Sequence, residues 1–385
     1  MNSKEVLTKW LEELKPVNES PNCVYKLLSE KKIILYGAGD GLITFSAFVL
    51  FRYNLKAEAV LDKKYRKGDY WYDIPLYSPL EYLPTNDEKE NAIVIITVGK
   101  IEYHQDVLDN LRSLGFKNIV FAVDIYEYHL PSVSEDLREK NVDYYLNSRE
   151  LILESLALFR DEESSEVFMR FMETHLKRKQ VFIPSHPIEE QYFPSDITLK
   201  RGNRRVINCG SYNGDTAIKI CTLWEIESLA CFEPDLENFS LLRRNLEKYH
   251  PDLETKLILY PCGVYSSETQ LRFTGSKRIN SMISYMGESV IQGVALDHVL
   301  PGFRPDFINM DVEGAELEAL MGAETLIRES RPDLAICVYH SPAHVWEIPL
   351  FINSLGLGYE FYLRNYTSYS SETVLYATVV GRESK

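Results

Sequence analysis

The segment Val206–Thr216, VINCGSYNGDT, restricts the folds open to this chain more than any other stretch. Val206, Ile207 and Cys209 form a short apolar run suited to a buried parallel strand. Gly210 and Gly214 then bracket a tight turn through Ser211, Tyr212 and Asn213, and Asp215-Thr216 opens a helix. Such a loop lets backbone N–H groups face a ligand that a side chain would block. A second apolar run, Leu229–Phe232, ends in Glu233-Pro234. That places a carboxylate beside the loop, where it can accept two hydrogen bonds from ribose hydroxyls. The pair predicts a nucleoside-bearing ligand without saying which.

At 385 residues the chain is long for one domain, and two domains are the natural expectation. A formal charge of −15 argues against nucleic acid or an anionic membrane as a partner, because phosphate binding needs a basic face. The six cysteines include no CxxC pair and several fall in apolar runs, so they read as reduced core residues of a cytoplasmic protein. Met1–Lys15 is a charged amphipathic segment rather than a signal peptide, and the apolar run Leu42–Phe51 is too short to span a bilayer.

Three regions follow. Residues 1–130 predict a small Rossmann-like domain behind N-terminal helices, 131–200 a helical connector, and 201–385 a second doubly wound domain, so the fold class is α/β throughout. In the first, the strand Lys32–Tyr36, the loop Gly37–Gly41, an apolar helix and the strand Ala57–Leu61 ending in Asp62 make a βαβ unit. Leu42 stands where a full dinucleotide fingerprint wants its third glycine. Asp73–Leu76 and Ser78–Leu80 read as a turn and connector. The stretches YGAGDG, AVLD and DIPLYSP resemble the nucleotide-binding-like domain found in some sugar acyltransferases and sugar methyltransferases. That resemblance implies a nucleotide-sugar pocket at Gly37, Gly39 and Asp62; a scaffold or homo-oligomer interface with an unused glycine turn accounts for the residues equally well.

In the second half, strands expected at Lys256–Tyr260, Asp306–Met310 and Leu334–Val338 alternate with helices. An antiparallel excursion falls at Gln270–Phe273 and Val290–Val294, and a final antiparallel pair at Tyr359–Leu363 and Val374–Val379. Ligands of open α/β sheets sit at the carboxyl ends of the strands, where Asn208, Glu233, Cys262-Gly263, Asp311, Glu313 and His340 all fall. Asp311 and Glu313 are two residues apart and share a side of extended backbone. They suit a base, a ligand for an acceptor hydroxyl or half of a divalent-metal site such as Mg²⁺, and helix capping is a further reading of Glu313. Glu316, one turn into the next helix, reads as surface or capping. His340 has the pKa range to take a proton from a hydroxyl. Trp346 reads as core; Tyr362 and Arg364 read as candidates to line an acceptor pocket.

The segments EEQYFP, VINCGSYNGDT, CFEPD, FINMDVEGAELEALMGAETLI, RPDLAICVYH and WEIPLFI resemble the FkbM family of S-adenosylmethionine-dependent methyltransferases, over about residues 150–380 and in the family's order. The resemblance implies the seven-stranded sheet of a class I methyltransferase and transfer of a methyl group to an acceptor oxygen, typically a hydroxyl of a sugar or polyketide; the first region's resemblance to domains of sugar enzymes points to a glycan precursor. It implies S-adenosylmethionine held by the loop Gly210–Thr216, Glu233-Pro234, Cys262-Gly263 and Asp311, with Tyr192 covering it. Asn208 departs from the family, which usually carries an acidic residue there to pair with the donor's amino group. Two other functions compete: a nucleotide-sugar or NAD enzyme working through the first domain, and a non-catalytic assembly protein on a methyltransferase fold.

Overall fold

Short apolar runs separated by helices set up two sheets, because a strand buried on both faces needs a crossover to reach its parallel neighbour. The computed structural model describes residues 2–14, 23–100, 103–128, 142–177, 180–274, 282–283 and 289–379. Its packing divides into two units. One comprises Leu14–Tyr144 and Glu173–Phe182; the other comprises Met1–Glu13, Tyr145–Met172 and Ile183–Lys385.

The first unit holds β1 (Ile33–Tyr36), β2 (Ala57–Leu61), β3 (Asp69–Trp71), β4 (Ile74–Tyr77), β5 (Ile93–Ile96) and β6 (Asn118–Phe121). They are ordered β3-β4-β2-β1-β5-β6, all parallel except β3 against β4. Ile33, Leu35, Val60, Ile93 and Ile95 form its core with Leu42 and Phe45 of the helix Asp40–Phe45. That helix continues as a π-helical turn, Ser46–Phe51. The segment expected as a turn and connector at 73–80 instead contains β4. Pro75, opposite Tyr70 of β3, hides it from a propensity reading. Asp62 Oδ2 accepts the amide of Ala38 at 2.8 Å and Oδ1 that of Lys64 at 2.9 Å, so the carboxylate braces its own glycine turn.

The second unit holds β7 (Arg205–Cys209), β8 (Ser228–Phe232), β9 (Leu257–Tyr260), β10 (Gly263–Val264), β11 (Thr269–Thr274), β12 (Met282–Ile283), β13 (Ser289–Val294), β14 (Phe307–Met310), β15 (Asp333–Cys337), β16 (Tyr359–Asn365) and β17 (Thr373–Val379). Its main sheet runs β16-β17-β15-β14-β7-β8-β9. The five central and β9-side strands are parallel, and β17 lies antiparallel to both β15 and β16. The excursion β10–β13 forms a separate four-stranded sheet. Val206, Leu229, Cys231, Phe307, Ala335 and Cys337 face Ala217, Ile220, Leu242 and Leu246 across one shared core. Among the described residues no helix is long and apolar enough to cross a membrane.

The helix Ser3–Glu13, read with the first domain, packs instead in the second unit. Leu7 and Leu11 are fully buried, and Arg149 at the start of the helix Arg149–Leu156 meets Glu12 at 2.9 Å. The stretch expected as one connector is likewise divided, with 145–172 in the second unit and 173–182 in the first.

Strand order reverses at β7: the chain steps outward to β8 and β9, then returns to the other side for β14 and β15. The crevice at the carboxyl ends of β7 and β14 is therefore the expected ligand position. Only a residue without a side chain lets these two ends close. A Cβ on Gly210, whose φ is +78°, would stand 1.8 Å from the carbonyl oxygen of Asp311. Gly210→Ala is predicted to cost at least about 2–4 kcal/mol, read as a lowered thermal midpoint by circular dichroism. A variant melting with the wild type would contradict this packing.

Candidate active site

Each parallel strand delivers its last residues to one edge, so side chains distant in sequence meet there. The loop after β7 is pulled onto the end of β8. The amides of Gly210 and Ser211 both donate to the carbonyl of Phe232, at 3.0 and 2.9 Å, and the amide of Gly214 donates to the carbonyl of Ser211 at 2.8 Å. The Tyr212 amide donates to Glu233 Oε2 at 2.8 Å, and the Asp235 amide to Oε1 at 2.9 Å. The loop amides expected to face a ligand are thus largely committed within the protein. Burial pushes the Glu233 carboxyl up to about 7 despite these bonds. Tyr212 is half exposed, with φ at +45°. Asn213 and Asp215 serve the helix start: Asn213 Oδ1 accepts the Asp215 amide at 3.2 Å and Asp215 Oδ1 the Thr216 amide. Cys262 is buried, and a Cβ on Gly263 would lie 3.8 Å from Pro234, so these three residues close one end of the crevice.

Asn208 and Asn309 are register partners on β7 and β14. Both are buried, and Asn208 Oδ1 accepts the Ser211 hydroxyl at 2.7 Å. The side-chain nitrogen of Asn208 and both amide atoms of Asn309 have no hydrogen-bond partner in the protein. Buried polar atoms left in this state are rare and call for a ligand or ordered water.

On the other side of the crevice lies a cluster of charges. His340, three residues beyond β15, places Nε2 3.4 Å from both Asp311 Oδ1 and Glu313 Oε2. Its Nδ1 lies 2.7 Å from Glu316 Oε1. Tyr192 donates its hydroxyl to Asp311 Oδ2 at 2.8 Å and sits 3.2 Å from the Cys337 sulfur, while its amide donates to the Tyr376 hydroxyl at 3.0 Å. Tyr192 is buried and braces Asp311. Tyr339, from the same segment as His340, donates to Glu372 at 3.3 Å.

Proton affinities follow from this crowding. Burial would push His340 down, but Glu316, Asp311 and Glu313 outweigh it and lift the imidazole to about 9. Burial raises Asp311, partly opposed by His340, and raises Glu313 to about 7. Glu316 goes the other way: burial is overcome by His340 and His344, which hold it well below the usual carboxylate range. Glu313 has φ at +55° and Gly314 at +100°, a strained turn of the kind found at ligand sites.

Two sequence expectations change. Glu316 is not on the surface; it has no exposed area. Its spacing to Ala319 and Leu320, both buried, puts it on the core face of its helix, a signal present in the sequence. Arg364, expected to line an acceptor pocket, is buried and committed to ion pairs. Its Nη2 pairs with Asp161 at 2.7 Å and its Nε with Asp196 at 2.6 Å, and its Nη1 donates to Ser164 at 3.0 Å. Trp346 is fully buried, as expected. Asn309, His344, Tyr339 and Glu372 are site residues the sequence reading did not single out.

Asp311, Glu316 and His340 bring potential metal-ligand atoms within 4.8 Å of one another. They do not fit a divalent ion. Glu316 Oε1 already accepts from His340 and the amides of Val312 and Gly314, and Oε2 faces His344 at 3.1 Å. The remaining 3.4 Å separations suit an imidazolium between two carboxylates.

Residues 208–362 match the family model described as the methyltransferase FkbM domain. No curated protein matches the chain. Among solved structures, a methyltransferase FkbM from Methylobacillus flagellatus KT superposes with a TM-score of 0.73 at 18% identity, covering 97% of this chain and 99% of that one. An rRNA methylase from Streptococcus thermophilus gives 0.30 at 11% identity over 46% of this chain and 89% of its own. The Aeropyrum pernix fibrillarin gives 0.30 at 13% identity over 50% and 74%; neither of these two is close enough to bear on the site. The first shares the fold across both units. With the strand order and the edge cluster in place, residues 208–362 are similar to the methyltransferase FkbM domain.

Proposed function

We propose that this chain transfers the methyl group of S-adenosylmethionine to a hydroxyl oxygen of a sugar or glycan precursor. The observation that carries the reading is the convergence of His340, Asp311 and Glu313 at the strand edge that also presents Glu233 and the β7 loop. Unpartnered amides on Asn208 and Asn309 fit a ligand bearing amino and carboxylate groups, such as the methionine end of the donor. Glu233 would hold the ribose hydroxyls, using acceptor capacity left after Tyr212 and Asp235. The donor supplies an electrophilic methyl group on a positive sulfur.

The chain's own part is positioning and proton handling. The acceptor oxygen bonds to the methyl carbon as the carbon–sulfur bond breaks, with that electron pair remaining on sulfur. The hydroxyl proton passes to His340 Nε2 in its neutral form. Asp311 and Glu313 flank Nε2 and stabilise the imidazolium. Alignment of the reacting atoms is the larger contribution, and a general base adds about 10²–10⁴-fold. A carbohydrate acceptor is supported by the first unit's resemblance to domains of sugar-modifying enzymes, and a panel of sugars and nucleotide sugars offered with labelled donor tests it.

Glu233→Ala is predicted to weaken S-adenosylhomocysteine binding at least about tenfold, since hydrogen bonds to a charged group are worth about 1.5–3 kcal/mol. Calorimetry showing an unchanged Kd removes Glu233 from the ribose site. The second prediction concerns pH. Because the base form of His340 gains population only as pH approaches about 9, kcat/KM for the acceptor should climb from neutrality towards that value. In His340→Ala the climb disappears and kcat drops by about 10² or more, with S-adenosylhomocysteine affinity within about twofold. A pH–rate profile that is the same in both proteins excludes His340 as the base.

A further inference from the structure

Glu316 has no task in the reading above, yet four groups converge on it. It lies in the first turn of the helix Glu316–Met321 with no exposed surface. Were it a simple cap, its oxygens would serve its own helix. Instead Oε1 accepts the amides of Val312 at 3.0 Å and Gly314 at 3.3 Å, both ahead of the helix, and meets His340 Nδ1 at 2.7 Å. Oε2 faces Nδ1 of His344, which comes from a different helix, at 3.1 Å.

We propose that Glu316 is a positioning residue for His340, locking the imidazole with Nδ1–H donated inward so that Nε2 alone faces Asp311 and Glu313. This deepens the methyl-transfer reading and rests on it. A ring held in this way can accept a proton only at Nε2, on the side where the acceptor must lie. The carboxylate also stabilises the imidazolium once the proton arrives, as a buried carboxylate behind a catalytic histidine does. Through Val312 and Gly314 the same oxygen fixes the turn that carries Glu313, so orientation of the base and of its flanking carboxylate have one source. The amides of Val312 and Gly314 donate to the ionised carboxylate in either state of the ring, which leaves His340 free to titrate without dissolving the arrangement.

The test is histidine-selective ¹⁵N nuclear magnetic resonance on the intact chain, which needs no acceptor. His340→Gln identifies the signal. In the wild type the neutral ring is expected as the Nδ1–H tautomer, and an Nε2–H tautomer overturns the proposal. In Glu316→Gln, which keeps the shape and one acceptor, the ring should titrate at least about one pH unit lower, and the alkaline climb in kcat/KM should move with it. An unshifted titration in a folded Glu316→Gln protein also overturns the proposal. The wild-type tautomer decides the matter if that variant does not fold. Loss of turnover in His340→Gln beside an unshifted Glu316→Gln ring sinks the positioning role alone. Full turnover in His340→Gln sinks the base assignment, and the positioning role with it.

Discussion

A carboxylate with no access to water must find partners inside the protein, and losing one partner of such a pair typically costs about 3–5 kcal/mol. Glu316 meets that requirement by drawing together three parts of the second unit: the turn after β14, the segment after β15 and the start of the helix His344–Ser354. The strain visible at Glu313 and Gly314 persists because the same carboxylate oxygen holds the amides on either side of Glu313. One buried charge therefore ties this strand edge together.

The opposite side of the crevice is built from close approach instead of charge. Gly210 admits the Asp311 carbonyl, and the amides of the β7 loop fold onto Phe232 and Glu233. That leaves Glu233 buried with a raised proton affinity, poised to gain from a ligand that donates hydrogen bonds to it. The two sides meet at β14, whose Asn309 and Asp311 are two residues apart on one face. Asn309 is unpartnered, whereas Asp311 is tied to Tyr192 and His340. A ligand at the carboxyl ends of β7 and β14 would lie beside this charged cluster.

Much of this was legible in the sequence. The parallel strands announce themselves as apolar runs of four or five residues, and β2 spans Ala57–Leu61 as expected. Glu233 and Asp311 were visible because each directly follows such a run, and Glu313 and His340 because each lies within three residues of one. Glu316 was not, since a glutamate one turn into a helix is ordinarily solvated; its spacing to Ala319 and Leu320 carried the contrary message. Tyr192 illustrates a different limit. Its φ of +67° turns the side chain towards Asp311, and no local pattern predicts that. β4 was concealed by Pro75, and the helix Ser3–Glu13 by the assumption that neighbours in sequence share a unit. The buried pairing of Arg364 with Asp161 and Asp196 joins residues far apart in the chain, where spacing says nothing.

The most direct test of the account is a crystal structure of the intact chain with S-adenosylhomocysteine bound. The account predicts ribose hydroxyls on Glu233, the amino-acid end against Asn208 and Asn309, and sulfur on the side of β14 that His340 Nε2 faces. A nucleoside bound elsewhere, or a crevice in which Glu233 keeps only the amides of Tyr212 and Asp235, would contradict it.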